Sequence, residues 1–281
     1  MTPKLIILDF DGTFTEVDRE ALPFLSAYKS KLCAALSEEI AEEWAEAETR
    51  INADPDRYGW EHEGRIVAPS HADPYILATS CGQLILERRA GFERSADRRA
   101  LLDGLFRECY PLADTVFRPD AKAVVEALLR SGRPVYVVTN SHTKAVQKKI
   151  DALAPEGKDR LTVCGDAKKY IVCDSAGADP RFRGLPEEQA LEGLKRPILL
   201  RRGLYFDLLQ ELWEKTGAAP EETVICGDIY ELDLAMPAAL GVRVHMVARP
   251  NTPSYERRAV ASSGGSLSEH LGGLLEAVDL S

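Results

Sequence analysis

The 281-residue sequence predicts an α/β fold: a doubly wound parallel sheet with a second, smaller helical domain set in after its first strand. Three observations predict it. Short apolar runs recur along the chain, and unbroken runs suit parallel strands covered on both faces. Helix patterns with recognisable ends separate the runs, the order that right-handed crossovers build into a layered sheet. One long stretch, residues 15–115, breaks that alternation with helix signals alone.

The strand candidates are Leu5–Leu8, Val135–Val138, Pro197–Leu200, Thr223–Cys226 and Val242–Val247. In the stretch after the first, Ser37 opens an acidic first turn, and Ile40, Trp44, Ala47 and Ile51 share one helical face. Asn52–Asp73, rich in Gly, Pro, His and aromatics, reads as loop. Asp73-Pro74 reads as an N-cap and first helical position, and Ser95 opens a segment carrying Leu101, Leu102, Leu105 and Phe106. Pro119–Arg130 is a helix that stops near Gly132. Pro155–Arg196 is irregular, with short strand-like pieces at Leu161–Cys164 and Lys169–Cys173. Helices Leu204–Lys215 and Leu232–Leu240 stop at Gly217 and Gly241, and Ser262–Ser266 is a flexible joint before a last helix. The domains expected are therefore 1–14 with 116–281, holding the sheet, and 15–115, the helical insert.

Composition narrows the function classes. With 35 basic and 45 acidic residues, a net charge of −10 argues against a general nucleic-acid binder. The apolar runs are far shorter than the ~20 residues that cross a bilayer. Met1 leads almost directly into a strand, leaving no room for a signal peptide. The six cysteines are scattered with no CxxC, which reads as reduced thiols rather than a disulfide framework or zinc site. The expectation is a cytoplasmic chain with neither membrane nor nucleic-acid partners.

The chemistry concentrates at strand ends. In Leu8-Asp9-Phe10-Asp11-Gly12-Thr13, two carboxylates two residues apart on a strand project to one side, where open α/β sheets bind ligands. Gly12 lets the chain turn and leaves backbone bare for an anion. Paired carboxylates repel unless a cation or proton joins them, which implies a divalent metal or acid–base work. Val138-Thr139-Asn140-Ser141 and Cys226-Gly227-Asp228, with Asp233 following, end two further strands. In a parallel sheet these ends share one rim, so Asp9, Asp11, Thr139 and Asp228 converge from three strands.

On Asp9-Phe10-Asp11-Gly12-Thr13, Thr139-Asn140 and Gly227-Asp228 with Asp233, the chain resembles the haloacid dehalogenase-like (HAD) superfamily, chiefly its phosphatases. The resemblance spans 1–14 and 116 onward, and 15–115 falls where that family places a helical cap. It implies a Rossmann-like core and Mg²⁺-dependent hydrolysis of a small-molecule phosphate ester through an aspartyl-phosphate intermediate. Asp9 would be the nucleophile and Asp11 the general acid and base, while Thr139 with Gly12, Thr13 and Asn140 would hold the phosphoryl group. Mg²⁺ would sit on Asp9, Asp228 and the Asp11 carbonyl, with Asp233 orienting the ligands. The family's third motif is a Lys, often followed by Pro. Here Arg202, or its neighbour Arg201, is the leading replacement, Lys195 the alternative and Lys169 a more distant one. The rival readings are a phosphomutase of the same superfamily and a catalytically impaired binding or regulatory protein.

Within the insert, Arg88, Arg89, Arg94, Arg98, Arg99 and Arg107 interleave with acidic residues and read as a solvated helix face. Tyr58, Trp60, His62 and His71 read as a packed aromatic loop or, alternatively, as groups that meet a substrate.

Overall fold

A computed structural model describes residues 2–280. The strands, in chain order, are β1 (Leu5–Leu8), β2 (Gly59–His62), β3 (Arg65–Pro69), β4 (Val135–Val138), β5 (Leu161–Cys164), β6 (Glu188–Gln189), β7 (Ile198–Leu199), β8 (Thr223–Gly227), β9 (Arg243–Val247) and β10 (Ser266–Ser268). Six of them form one parallel sheet in the order β10-β9-β8-β1-β4-β5. Strand β1 lies between β8 and β4, and all four of its residues are buried. Its register sets Leu8 opposite both Val137 and Cys226, so the residues just past these three strands leave the sheet at one rim.

The unbroken apolar run of β1 has a simple cause. Leu5 and Ile7 join a cluster with Phe206, Leu209 and Trp213 of the helix Gly203–Thr216. Ile6 and Leu8 join another, with Val124 and Leu128 of the helix Ala121–Arg130 and Ile150 of the helix Thr143–Leu153. Both faces of the strand are therefore core, and each such side chain contributes roughly 1.5–3 kcal/mol by burial.

The sheet differs from expectation at Pro197–Leu200, at its β10 edge and at Lys169–Cys173, while the strand-like piece Leu161–Cys164 is indeed a strand. The apolar run at Pro197–Leu200 stays out of the main sheet: β7 pairs antiparallel with β6, in a small separate ladder. Apolarity marks a buried run but carries no information on which partner it meets. Leu161–Cys164 takes an edge of the main sheet, beside β4. The opposite edge is β10, within the segment expected to be a joint and final helix approach. Its Ser266 and Ser268 hydroxyls contact the two ring nitrogens of buried His245 at 2.8 and 2.9 Å. Lys169–Cys173 forms no strand, only a single bridge from Cys173 to Arg202.

The chain divides into two compact units: the sheet unit, up to Glu16 and from Phe117, and Val17–Val116. The second carries the helices Leu22–Leu36, Ala41–Ala53, Pro74–Leu86 and Ser95–Cys109 around Phe24, Tyr28, Trp44, Ile51 and Leu102. Asp73 caps its helix, its Oδ1 accepting from Tyr75 N at 2.7 Å. Ser37 closes the preceding helix in a left-handed conformation instead of opening the next, which starts at Ala41. Residues expected to be loop include a hairpin, β2 paired with β3. Glu63 (φ 50°) and Gly64 (φ 75°) make its turn, and the absence of the usual Asn-Gly hid it. Among the described residues, no helix is long and apolar enough to cross a membrane.

Candidate active site

The site is built at the sheet rim. Asp9 N donates to Cys226 O (2.8 Å), which extends the β1–β8 ladder by one step and fixes the first carboxylate. Phe10 O then accepts from Thr13 N (3.2 Å) and Phe14 N (2.8 Å), turning the chain sharply. Gly12 stands in the turn at φ +83°, and its carbonyl accepts from Arg118 Nη2 at 2.7 Å. A β-carbon at Gly227 would lie 2.6 Å from Asp233 Cβ, so this second glycine also admits close approach of an acid.

Asp11 turns toward β4 and the helix after it. Its Oδ2 accepts from Ser141 Oγ (2.7 Å) and Thr139 Oγ1 (3.4 Å), and Lys149 Nζ is 3.5 Å from its Oδ1. Thr139 Oγ1 in turn accepts from Ser141 N at 3.1 Å. Thr13 is fully buried, and its hydroxyl has no hydrogen-bond partner.

The basic group against the nucleophile candidate is Lys169. Its Nζ donates to Asp9 Oδ1 (2.7 Å) and Asp233 Oδ1 (2.8 Å), with all three side chains buried. This corrects the expectation for the third motif. Arg202 is buried too, but it donates to backbone carbonyls: Nη1 to Lys169 O (2.6 Å) and Nε to Leu199 O (3.2 Å). It therefore holds the loop that carries the lysine. Arg201 donates to Leu185 O, and Lys195 is exposed whereas Asp9 and Asp233 are not. A long flexible base could reach the site from sequence spacing alone; the backbone decides otherwise.

Lys169 arrives on a constrained loop that follows β5. Asp166 (φ 56°) and Lys168 (φ 49°) are non-glycine residues in the left-handed region, each a cost of about 1–2 kcal/mol. Three hydrogen bonds hold the loop there: Asp166 N to Ser141 O, Ala167 N to Thr139 O, and Lys169 N to Asn140 Oδ1 at 2.7 Å. Asn140 thus works through the lysine loop. The signal that would have put Lys169 first is the strand Leu161–Cys164: once it belongs to the main sheet, its following loop lies on the same rim.

Asp233 is delivered by a π-helical turn, Tyr230–Leu234, directly after Asp228. Its Oδ2 accepts from Ile229 N (3.2 Å), and its carbonyl accepts from the Tyr205 hydroxyl (3.1 Å). Asp228 is paired with Arg249, Nε to Oδ2 at 3.0 Å. Ser141, Lys149, Arg118 and Arg249 are functional candidates that the sequence motifs did not single out.

Electrostatics follow from this crowding. Burial pushes the Asp9 carboxyl well above the ordinary carboxylate range; Lys169 pulls it down, and Asp233, Asp228 and Asp11 push it further up. Burial likewise raises Asp228, to about 7, against the pull of Arg249. Burial opposes the Lys169 ammonium, but Asp233 and Asp9 outweigh it and hold the lysine charged.

One oxygen each of Asp9, Asp228 and Asp233 lie within 4.8 Å of one another. Both Asp228 oxygens are buried, and although Oδ2 is ion-paired with Arg249, neither accepts a hydrogen bond. Hard oxygen donors with unspent lone pairs are what a divalent cation such as Mg²⁺ takes, so the donor set fits one.

In the other unit, Tyr58 and Trp60 line a cavity of about 460 Å³ together with Ile76, Thr79 and Gln83. Arg89 pairs with Glu43 and Glu38, and Arg98 with Glu87, so these two arginines are spent on local acids.

Comparison with known proteins gives a consistent picture. The sequence profile of the haloacid dehalogenase-like hydrolases matches residues 3–241. The fold is similar to that of YfnB from Bacillus subtilis, crystallised with magnesium bound, at 13% identity and a TM-score of 0.55, covering 99% of this chain and 100% of that one. It is also similar to an HAD phosphatase from Thermococcus onnurineus, at 15% identity and a TM-score of 0.50, covering 98% and 97%. No curated protein matches the sequence.

Proposed function

The chain belongs to the haloacid dehalogenase-like hydrolase family, and from that premise we propose that it is a divalent-cation-dependent phosphomonoester hydrolase of small metabolites. The observation that supports this most is Asp11, two residues past Asp9, its carboxylate oriented by Ser141 and Thr139. A halide leaves without a proton, whereas an alkoxide leaving group benefits from an acid at this position.

Asp9 attacks phosphorus in line; the new Asp9–phosphorus bond forms as the phosphorus–oxygen ester bond breaks. Asp11 gives its proton to the departing oxygen, then takes one from the water that hydrolyses the acyl phosphate, which frees inorganic phosphate and restores Asp9. Lys169 holds Asp9 in place and offsets negative charge beside it. Thr139 and the backbone at Gly12, Thr13 and Asn140 position phosphoryl oxygens. Asp9, Asp228 and the Asp11 carbonyl would hold Mg²⁺, with Asp233 fixing the ligands; when bound, the ion screens the phosphoryl charge that would repel the nucleophile. The unit Val17–Val116 serves as the substrate-selecting cap.

The test is release of inorganic phosphate from an aryl phosphate and a panel of phosphorylated metabolites. Mg²⁺-dependent release that a chelator stops supports the proposal. Transfer to a second metabolite without release would replace it with a mutase, halide release from a 2-haloacid with a dehalogenase, and no turnover of any of these with a binding role.

A further inference from the structure

Arg249 lies two residues beyond the end of β9, and its side chain is as buried as that of its partner Asp228, 3% and 1% exposed. Its backbone is fixed on both sides: Arg249 N donates to Thr252 Oγ1 at 2.8 Å, and its carbonyl accepts from Arg257 Nη2 at 3.2 Å. The guanidinium therefore reaches Asp228 from an anchored position. Asp228 is also one of the three carboxylates that converge within 4.8 Å.

A buried carboxylate shared between a tethered cation and a diffusible one ties the two together. In their ionised, metal-binding forms the three carboxylates, offset by Lys169 and Arg249, carry one excess negative charge; without Arg249 they carry two. At short range in a buried site, that difference weighs heavily on the attraction for a divalent ion. We propose that Arg249 is a built-in competitor of the divalent cation: it neutralises Asp228 in the metal-free protein and sets how tightly the metal is held. The inference rests on the metal-dependent reading above and concerns binding, not turnover.

The test measures Mn²⁺ binding directly, by the electron-paramagnetic resonance of free Mn²⁺, in the wild-type protein, Arg249→Gln and Asp228→Asn. The expected result is roughly tenfold tighter binding by Arg249→Gln, within the ~5–150-fold range of typical coupling between two sites. Asp228→Asn should lose the site. Unchanged or weaker binding by Arg249→Gln, with binding still lost in Asp228→Asn, overturns the competitor role and leaves the metal reading standing. Binding that is absent in the wild type, or that survives Asp228→Asn, overturns the metal reading and the competitor role with it. Should Arg249→Gln fail to fold, the wild type still decides. Its Arg249 Nε–H resonance, assigned by its loss in Arg249→Lys, is expected to exchange slowly without metal and to shift as Mg²⁺ is added. Indifference of that resonance to saturating Mg²⁺ overturns the proposal.

Discussion

Gly12 and Asp228 approach so closely that a β-carbon on the glycine would lie 2.2 Å from the carboxylate Oδ2. The glycine is thus a spacer between the nucleophile turn and the carboxylate from β8. Its φ of +83° adds a second reason for the residue. Gly12→Ala is expected to lose about 1–2 kcal/mol from backbone conformation alone, and more because Asp228 must move. Thermal melting and phosphate release should both fall; a variant with wild-type turnover would show that Asp228 is free to shift.

Lys169→Met should be among the most damaging single changes. It leaves Asp9 and Asp233 buried against each other with no ammonium between them, and breaking such a buried pair costs about 3–5 kcal/mol. Urea unfolding measures this directly. Lys169→Arg should not restore turnover, because a planar guanidinium cannot take the two-way position of Nζ in so tight a space.

The two aspartates of the first motif should fail differently. Asp9→Asn is expected to abolish turnover with the fold intact. Asp11→Asn is expected to slow turnover by a factor of ~10²–10⁴, the usual contribution of a general acid or base. It should also accumulate phosphoenzyme, seen as an added phosphate mass that disappears when Asp9 is also replaced. Equal activity of the Asp9→Asn protein would remove the nucleophile assignment.

Stability should decline as pH rises through neutrality. Burial lifts the Glu256 carboxyl to about 8 and Asp228 to about 7. The folded protein then keeps protons that the unfolded chain releases near ~4.3 and ~3.9. The sign follows: more protons bound when folded means stability lost with increasing pH, by at most ~1.4 kcal/mol per unit per group. Above about pH 7, once Asp228 has titrated, Glu256 contributes to the remaining slope beside Asp9, whose carboxyl is also raised by burial. Urea denaturation of Glu256→Gln should be flatter in that window; an unchanged slope would assign it elsewhere.

Legibility in the sequence tracked how local each signal was. Asp9, Asp11 and Asp228 sit at the ends of runs that are core on both faces, so strand, rim and carboxylate could be read together. Lys169 was ranked behind Arg202 and Lys195 because its preceding strand is an edge strand and its loop uses left-handed non-glycine residues, a conformation no composition announces. Pro197–Leu200 misled for the opposite reason, being strongly apolar yet paired only with β6. Arg249 lies in a segment with no motif, and only folding brings it to Asp228.

The segment between Lys169 and Arg202 is knotted at its base. Arg202 Nη1 grips the Lys169 carbonyl, Cys173 N donates to Arg201 O, and Gly203 N donates to Cys173 O. Beyond those ties the excursion is still part of the core: Phe182, Leu185, Leu191, Leu194 and Ile198 join the cluster that holds Leu5 and Ile7, and Arg196 pairs with buried Glu231 at 2.7 Å, two residues from Asp233. Room for added length is therefore confined to exposed stretches such as residues 176–178, where lengthening the loop adds only about 0.6 kcal/mol per doubling, while cutting the excursion out would open the core under β1.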